Sequence, residues 1–309
     1  VKTFDIVTVG HFAIDQIVTS GFSYKQMLGG PPAYVSLAAG KLGARVGVIS
    51  VIGEDFPEAY INFLQKNNID LFGVGMVDND VTTSFVLEYY NGKRILWLDN
   101  LGPKILLEDL PNDFSAKNIH VAPIAGEIAP EVVRELRERT DILSLDPQGF
   151  LREFSVNGRT SLKNMLSPSV LEQIDVYKSS SEEIRAVTGL RSLEMAMKKI
   201  REFGVKTVVV TMGTGGAAVL FDDTFRKVPA YMSKTIVDPT GAGDTFAGAF
   251  LAEYVKGKDA VWCACVGSAM ASFKVETVGP YSLPEKEAVY ERAQLLLAKC
   301  MHTKTHNEL

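Results

Sequence analysis

Apolar positions along the chain follow two alternating patterns. Compact apolar runs at 4–10, 46–51, 118–122, 142–145, 176–179 and 207–211 predict buried β-strands. Between and after them, apolar residues recur every three or four positions, which predicts helices over 33–42, 57–67, 130–139, 182–188 and 192–203. A run over 15–27 is strand-like but short and partly polar, while 82–98 holds two strand-like runs around Asn91-Gly92, a strong hairpin signal. From 242 onward Phe246, Ala249, Phe250 and Tyr254 mark one face of a helix. Strands alternating with helices predict an α/β fold, a mostly parallel central sheet with helices on both faces. No repeat, low-complexity tract or linker divides the chain, so 1–309 reads as a single domain. The segments 12–28 and 82–99 are the candidates for a small β lid over the site, and 303–309 reads as a frayed tail.

Composition narrows the function classes. With 309 residues, 46% hydrophobic and 22% charged, the chain is that of an ordinary globular enzyme. A net charge of −5 offers no basic footprint for nucleic acid. No apolar run reaches membrane-spanning length, and the first residues do not form a signal peptide. Cys263, Cys265 and Cys300 cannot all pair, and the first two point different ways on a helical segment. Buried thiols in a reducing cytoplasm are therefore expected, rather than a disulfide framework or a metal site. His11 and His120 lack partners at metal-ligand spacing and read as structural or incidental.

The densest chemistry lies in 237–251. Asp238-Pro-Thr-Gly241 reads as a turn, and the Gly-Ala-Gly run that follows opens a helix with several backbone N–H groups unpaired. Those amides and the helix dipole make a site for an anion. Asp244 falls in the first turn, facing the same place. One reading is that it only complements the dipole. The other is that it meets a hydroxyl attacking a phosphoryl group whose charge the amides absorb.

The longer string Asp238-Pro-Thr-Gly-Ala-Gly-Asp244 resembles the signature of the ribokinase, or PfkB-type carbohydrate kinase, family. The resemblance implies a ribokinase-like fold and an ATP-dependent transfer to a hydroxyl. Asp244 would be the catalytic base, and the amides of Gly241, Ala242 and Gly243 the anion hole. Other matches run along the chain. Asp15, five residues beyond strand one, would hold acceptor hydroxyls, and by position alone it could equally form a turn. Gly29-Gly30 resembles the glycine pair that lets backbone approach the acceptor, but Tyr34 stands where that signature usually carries asparagine. Gly53-Glu-Asp55 matches a structural strand-end pattern. Asp146-Pro-Gln148 through Arg152 resembles an acceptor-side region in which Gln148 replaces asparagine; with Tyr34, this is similar to an inositol-kinase-like branch. Arg152 would serve an anionic acceptor or pair with a nearby acid.

On the donor side, Ser180-Ser-Glu-Glu183 lies where the family organises Mg²⁺ through water near the phosphates, with Ser180 replacing asparagine. Alone it is simply a capping box. Thr211-Met-Gly213-Thr-Gly-Gly216 formally fits a dinucleotide fingerprint, but 217–221 reads as a strand where that site needs a helix. It resembles instead the family's turn along the nucleotide phosphates. The chain lacks Gly-x-x-x-x-Gly-Lys-[Ser/Thr], which excludes a P-loop kinase. Asp238 and Thr240 would border a monovalent cation, K⁺, that shapes the anion hole, unless Asp238 is an ordinary turn residue. The expected partners are ATP with Mg²⁺ and a small sugar, polyol or nucleoside, with a homodimer formed through the lid as a further option. Two rivals stand beside this reading. A sugar-phosphate kinase would need more cationic residues at the acceptor site than the motifs supply. A non-catalytic sensor on the same fold would have no need of Asp244.

Overall fold

The computed structural model describes residues 1–19, 21, 23–90 and 93–302. The Asn91-Gly92 turn and the 303–309 tail lie outside them. In chain order the strands and helices are β1 (Lys2–Val9), β2 (Ala13–Val18), β3 (Ser23–Gly29), α1 (Pro31–Lys41), β4 (Val46–Gly53), α2 (Glu58–Lys66), β5 (Ile69–Val77), β6 (Ser84–Tyr90) and β7 (Lys93–Asn100). Then come β8 (Phe114–Val121), α3 (Pro130–Arg137), β9 (Thr140–Leu145), β10 (Arg152–Phe154), β11 (Thr160–Leu162), α4 (Pro168–Leu171), β12 (Val176–Ser180), α5 (Ser181–Thr188) and α6 (Leu193–Arg201). The chain ends with β13 (Thr207–Thr211), β14 (Ala217–Phe221), β15 (Thr224–Val228), α7 (Ala242–Tyr254), α8 (Ala260–Lys274) and α9 (Lys286–His302).

Nine strands form one sheet in the order β15-β14-β13-β12-β9-β8-β1-β4-β5. From β13 to β5 every pairing is parallel, while β14 and β15 extend the sheet antiparallel. The two-residue period of a strand sends neighbouring side chains into different cores. Ile6 and Val209 join the core under α1, α7, α8 and α9, whereas Val7, Val208 and Val210 join the one under α3 to α6. A strand buried on both faces reads as a continuous apolar run, and for that reason the central strands are visible in the sequence.

The run at 15–27 is two strands rather than one, because the chain turns between β2 and β3. Together with β6 and β7 they make a separate four-stranded sheet, ordered β3-β2-β6-β7. Its inner side chains Ala13, Phe85 and Leu87 pack on Ile124 and Ala125. The β13–β14 pair is an antiparallel hairpin, so no dinucleotide-binding helix follows β13. Cys263 and Cys265 are buried in α8, and no disulfide forms among the described residues. Among those residues, no helix is long and apolar enough to cross a membrane.

Candidate active site

Parallel α/β sheets bind ligands beyond the carboxyl ends of their strands. Here β9, β12 and β13 end on that edge at Leu145, Ser180 and Thr211, and α7 begins there. Gly241, the residue before α7, has φ +73°, and a Cβ on it would lie 2.4 Å from the Tyr34 ring. Glycine is thus required both for the left-handed turn and for the packing of Tyr34. The Ala242 N–H closes this turn on the Pro239 carbonyl at 3.2 Å. Ala242 is therefore less available to an anion than the sequence suggested. Among the described residues, the Gly241 and Gly243 amides have no backbone acceptor and open on the helix N-terminus.

Asp244 sits in the first turn of α7 and accepts a hydrogen bond from Gln148 Nε2 at 2.9 Å. Arg152 in turn donates to Gln148 Oε1 at 2.5 Å and to the Ile124 carbonyl at 3.1 Å. The acid partner foreseen for Arg152 is not found: among the described residues it forms no ion pair, and its charge acts on Asp244 through the glutamine amide. Burial raises the Asp244 pKa above the ordinary carboxylate value, and the nearby Lys178 ammonium opposes that rise.

Across the same cavity stands Asp15, 6% exposed, with Oδ1 lacking any hydrogen-bond partner among the described residues. Burial pushes its pKa up to about 7, against the pull of Arg152. Gly29 is what admits this carboxylate, since a Cβ there would stand 2.0 Å from Asp15 Oδ2. Gly30, at φ +84°, lies against the backbone of 11–13, where a Cβ would meet the His11 carbonyl at 2.3 Å. Asp15, Gly30, Tyr34, Gln148, Arg152, Thr240, Gly241 and Asp244 line one cavity of about 60 Å³, roofed by Phe85, Leu87, Arg94 and Leu96 of the small sheet. The structure thus gathers the acceptor-side residues expected from the sequence at one place, with Gly29 just behind Asp15.

Three contributors were not foreseen. Lys178, in β12, donates to Asp146 Oδ2 at 2.5 Å, and a Cβ on Gly243 would be 3.1 Å from its Nζ. Burial alone would lower the Lys178 pKa, but Asp146, Asp244 and Glu183 outweigh it and hold the ammonium charged. Arg94 supplies a second cation beside Arg152 in the lining of the cavity between Asp15 and Asp244. Glu127, buried, accepts the N–H groups of His11, Ile124 and Ala125 and so ties the loop after β1 to the cavity floor. His11 bonds Thr83 and the Pro103 carbonyl, and His120 bonds Ser144, so both are framework residues.

Ser180 and Glu183, expected on the donor side, form a reciprocal capping box at the start of α5. Beside the N-terminus of α7 lies a second pocket of about 310 Å³. Thr211, Gly213 and Gly216 line one wall, and Phe246, Ala271 and Val275 supply apolar surface on the other. A larger hollow, about 660 Å³, lies at the opposite sheet edge beside Phe4, Arg45 and Lys117, away from all of these groups. The oxygens around Asp238, expected to border a monovalent cation, surround the Lys274 ammonium instead, so these residues do not fit a free ion at that point. Thr240 turns its hydroxyl to Tyr89 at 2.8 Å and its N–H to Asp238 Oδ1 at 2.9 Å.

The profile described as pfkB family carbohydrate kinase matches residues 3–287. A cytidine kinase of Thermococcus kodakarensis is 28% identical over 90% of this chain and 99% of its own. An inositol 3-kinase of Arabidopsis thaliana is 25% identical over 98% of this chain and 83% of its own. Among solved structures, a pyrophosphate-dependent kinase in the ribokinase family, complexed with a pyrophosphate analogue and myo-inositol, superposes with a TM-score of 0.80. It is 25% identical and the match covers 93% of this chain and 99% of that one.

Proposed function

The chain belongs to the pfkB family of carbohydrate kinases and is a phosphotransferase with a hydroxyl acceptor; from its site we propose that it transfers the γ-phosphoryl group of ATP to a small sugar or polyol. The observation that carries this reading is the pair of buried carboxylates, Asp15 and Asp244, facing one cavity at the mouth of the α7 anion hole. Asp15, whose Oδ1 has no partner among the described residues, accepts two acceptor hydroxyls and so sets the ring's orientation. Asp244, held by Gln148, receives the proton of the attacking hydroxyl. The new bond forms between that oxygen and the γ-phosphorus, the bridging P–O bond breaks, and ADP leaves. In a loose transition state the proton departs late, so the placement of Asp244 matters more than its basicity. Gly241 N–H, Gly243 N–H and the Lys178 ammonium take up charge on the transferring group.

ATP rather than pyrophosphate is supported by the apolar second pocket, whose volume lies at the lower end of the range for small-molecule sites. Mg²⁺ on the donor phosphates would add positive charge there. Glu183 suits it as an outer, water-mediated ligand, because one carboxylate oxygen is engaged by Ser180 N–H and its charge reaches Lys178. The acceptor cavity, about 60 Å³, lies beneath the four-stranded sheet. That sheet, resting on Ile124 and Ala125, is the lid whose movement would widen the cavity for an acceptor.

A nucleoside acceptor is the second reading, favoured by the apolar roof of Phe85, Leu87 and Leu96 and by the similarity to a cytidine kinase. Release of ADP from Mg-ATP across myo-inositol, ribose, fructose, cytidine, adenosine and ribose 1-phosphate separates the two, with pyrophosphate as the alternative donor. Turnover with a free sugar or polyol supports the first reading, and turnover confined to nucleosides supports the second. Binding of acceptors with no turnover from either donor would refute both and leave a sensor.

A further inference from the structure

Lys274 is the last residue of α8 and is wholly buried. Its ammonium has three hydrogens to donate and finds three oxygens: the Asp238 carbonyl at 2.9 Å, Asp238 Oδ2 at 3.2 Å and the Thr277 carbonyl at 3.1 Å. Two backbone carbonyls and a carboxylate converging on one point are the ligand set of a desolvated alkali cation. The same carboxylate reaches both ways. Oδ1 accepts the Thr240 N–H at 2.9 Å, and Oδ2 also accepts the Gly279 N–H at 3.2 Å. The turn 238–241, from which the anion hole opens, is thus pinned to the 274–279 segment through a single cationic centre. That centre lies 5.8 Å from the Tyr34 ring, which packs on Gly241.

We propose that the Lys274 ammonium is a tethered replacement for a monovalent cation, positioning the anion-hole turn so that this kinase works without K⁺. The inference rests on the kinase reading above only for its activity arm. Asp238 is 2% exposed and would be an uncompensated buried charge without a cation at this point. A lysine supplies that charge at no cost in ion capture, and it cannot dissociate. Lys274 is a positioning residue: it reaches the phosphoryl group only through the backbone of the turn.

The test compares wild type with Lys274→Met at equal ionic strength in choline chloride, NaCl and KCl. Methionine keeps the stem in place and ends one atom short, which leaves the ammonium's position open. Wild type is expected to show the same melting temperature and the same Mg-ATP turnover in all three salts. Lys274→Met is expected to melt lower in choline, to recover several degrees as K⁺ is added, and to lose about tenfold or more in turnover in choline with recovery in K⁺. If the methionine variant does not fold in any salt, Lys274→Ala gives the cation more room and is read in the same way. Melting temperature needs neither donor nor acceptor, so this arm stands even if the kinase assignment fails. A wild type stabilised or activated by K⁺ overturns the proposal. So do folded variants that lose stability equally in all salts, because a merely structural lysine leaves no cation-selective rescue.

Discussion

Replacing Asp15 by asparagine should make the protein more stable at neutral pH while removing its grip on the acceptor. The carboxylate is buried, its Oδ1 has no partner among the described residues, and its pKa is pushed up to about 7 from an ordinary 3.8. Below about pH 3 the group is protonated in folded and unfolded chains alike and has little effect. Between about pH 4 and 7 the unfolded chain releases the proton and the folded one keeps it, so stability falls as pH rises. Above about pH 7 the loss levels off at about 4 kcal/mol. Asp15→Asn removes that slope. Urea unfolding of both proteins from pH 4.5 to 8 should therefore show a stability difference growing from about 1 kcal/mol at the acid end to about 4 kcal/mol at pH 8, in favour of the variant. Acceptor kcat/KM should fall by about 10²–10⁴-fold, because two hydroxyls lose bonds to a charged acceptor worth about 1.5–3 kcal/mol each. Wild-type kcat/KM for the acceptor should rise with pH through about 7, as Asp15 ionises in the free enzyme. A stability difference that does not change with pH, or a variant less stable at pH 8, would refute the reasoning.

Three further substitutions probe the phosphoryl side. Asp244→Asn should lower kcat by about 10²–10⁴-fold while Mg-ATP affinity by calorimetry stays near wild type; near-normal turnover would remove Asp244 from the chemistry. Gly241→Ala forces a side chain into φ +73° at about 1–2 kcal/mol and drives a Cβ to 2.4 Å from the Tyr34 ring, so both melting temperature and kcat should drop. Lys178→Met strands the fully buried Asp146 and should cost about 3–5 kcal/mol at pH 8. Urea unfolding of the variant beside wild type would show that loss.

The parts of the site that were legible in the sequence are those whose chemistry is local. The turn and helix start of 238–244, the glycine pair at 29–30 and the 211–221 hairpin each declare themselves within a few residues. The strand β5 did not, because Ile69–Val77 is interrupted by two glycines and forms a half-exposed sheet edge, where the apolar run breaks down. The buried lysines were hidden for a different reason. Lys274 reads as a basic residue in the last turn of a helix, as the helix dipole favours, and Lys178 as a stray charge in a strand. Only the crossing of the sheet brings their partners to them, from 36 and 32 residues away.

That pairing also explains why the two acids of the acceptor cavity are suited to hydroxyls. Asp238 is neutralised by Lys274 and Asp146 by Lys178, each in a buried ion pair. Among the described residues, Asp15 and Asp244 have no such pair. Their remaining lone pairs face a cavity in which Arg152 is already engaged with Gln148 and the Ile124 carbonyl. A neutral, multiply hydroxylated ring satisfies those oxygens without adding charge. A phosphorylated acceptor would place its anion beside two carboxylates, with Arg152 committed to Gln148 and the Ile124 carbonyl and Arg94 hydrogen-bonded to Tyr89. The same panel of acceptors should therefore show ribose 1-phosphate turning over more slowly than the free sugars, and the Arg94→Ala variant should leave turnover of neutral acceptors largely intact.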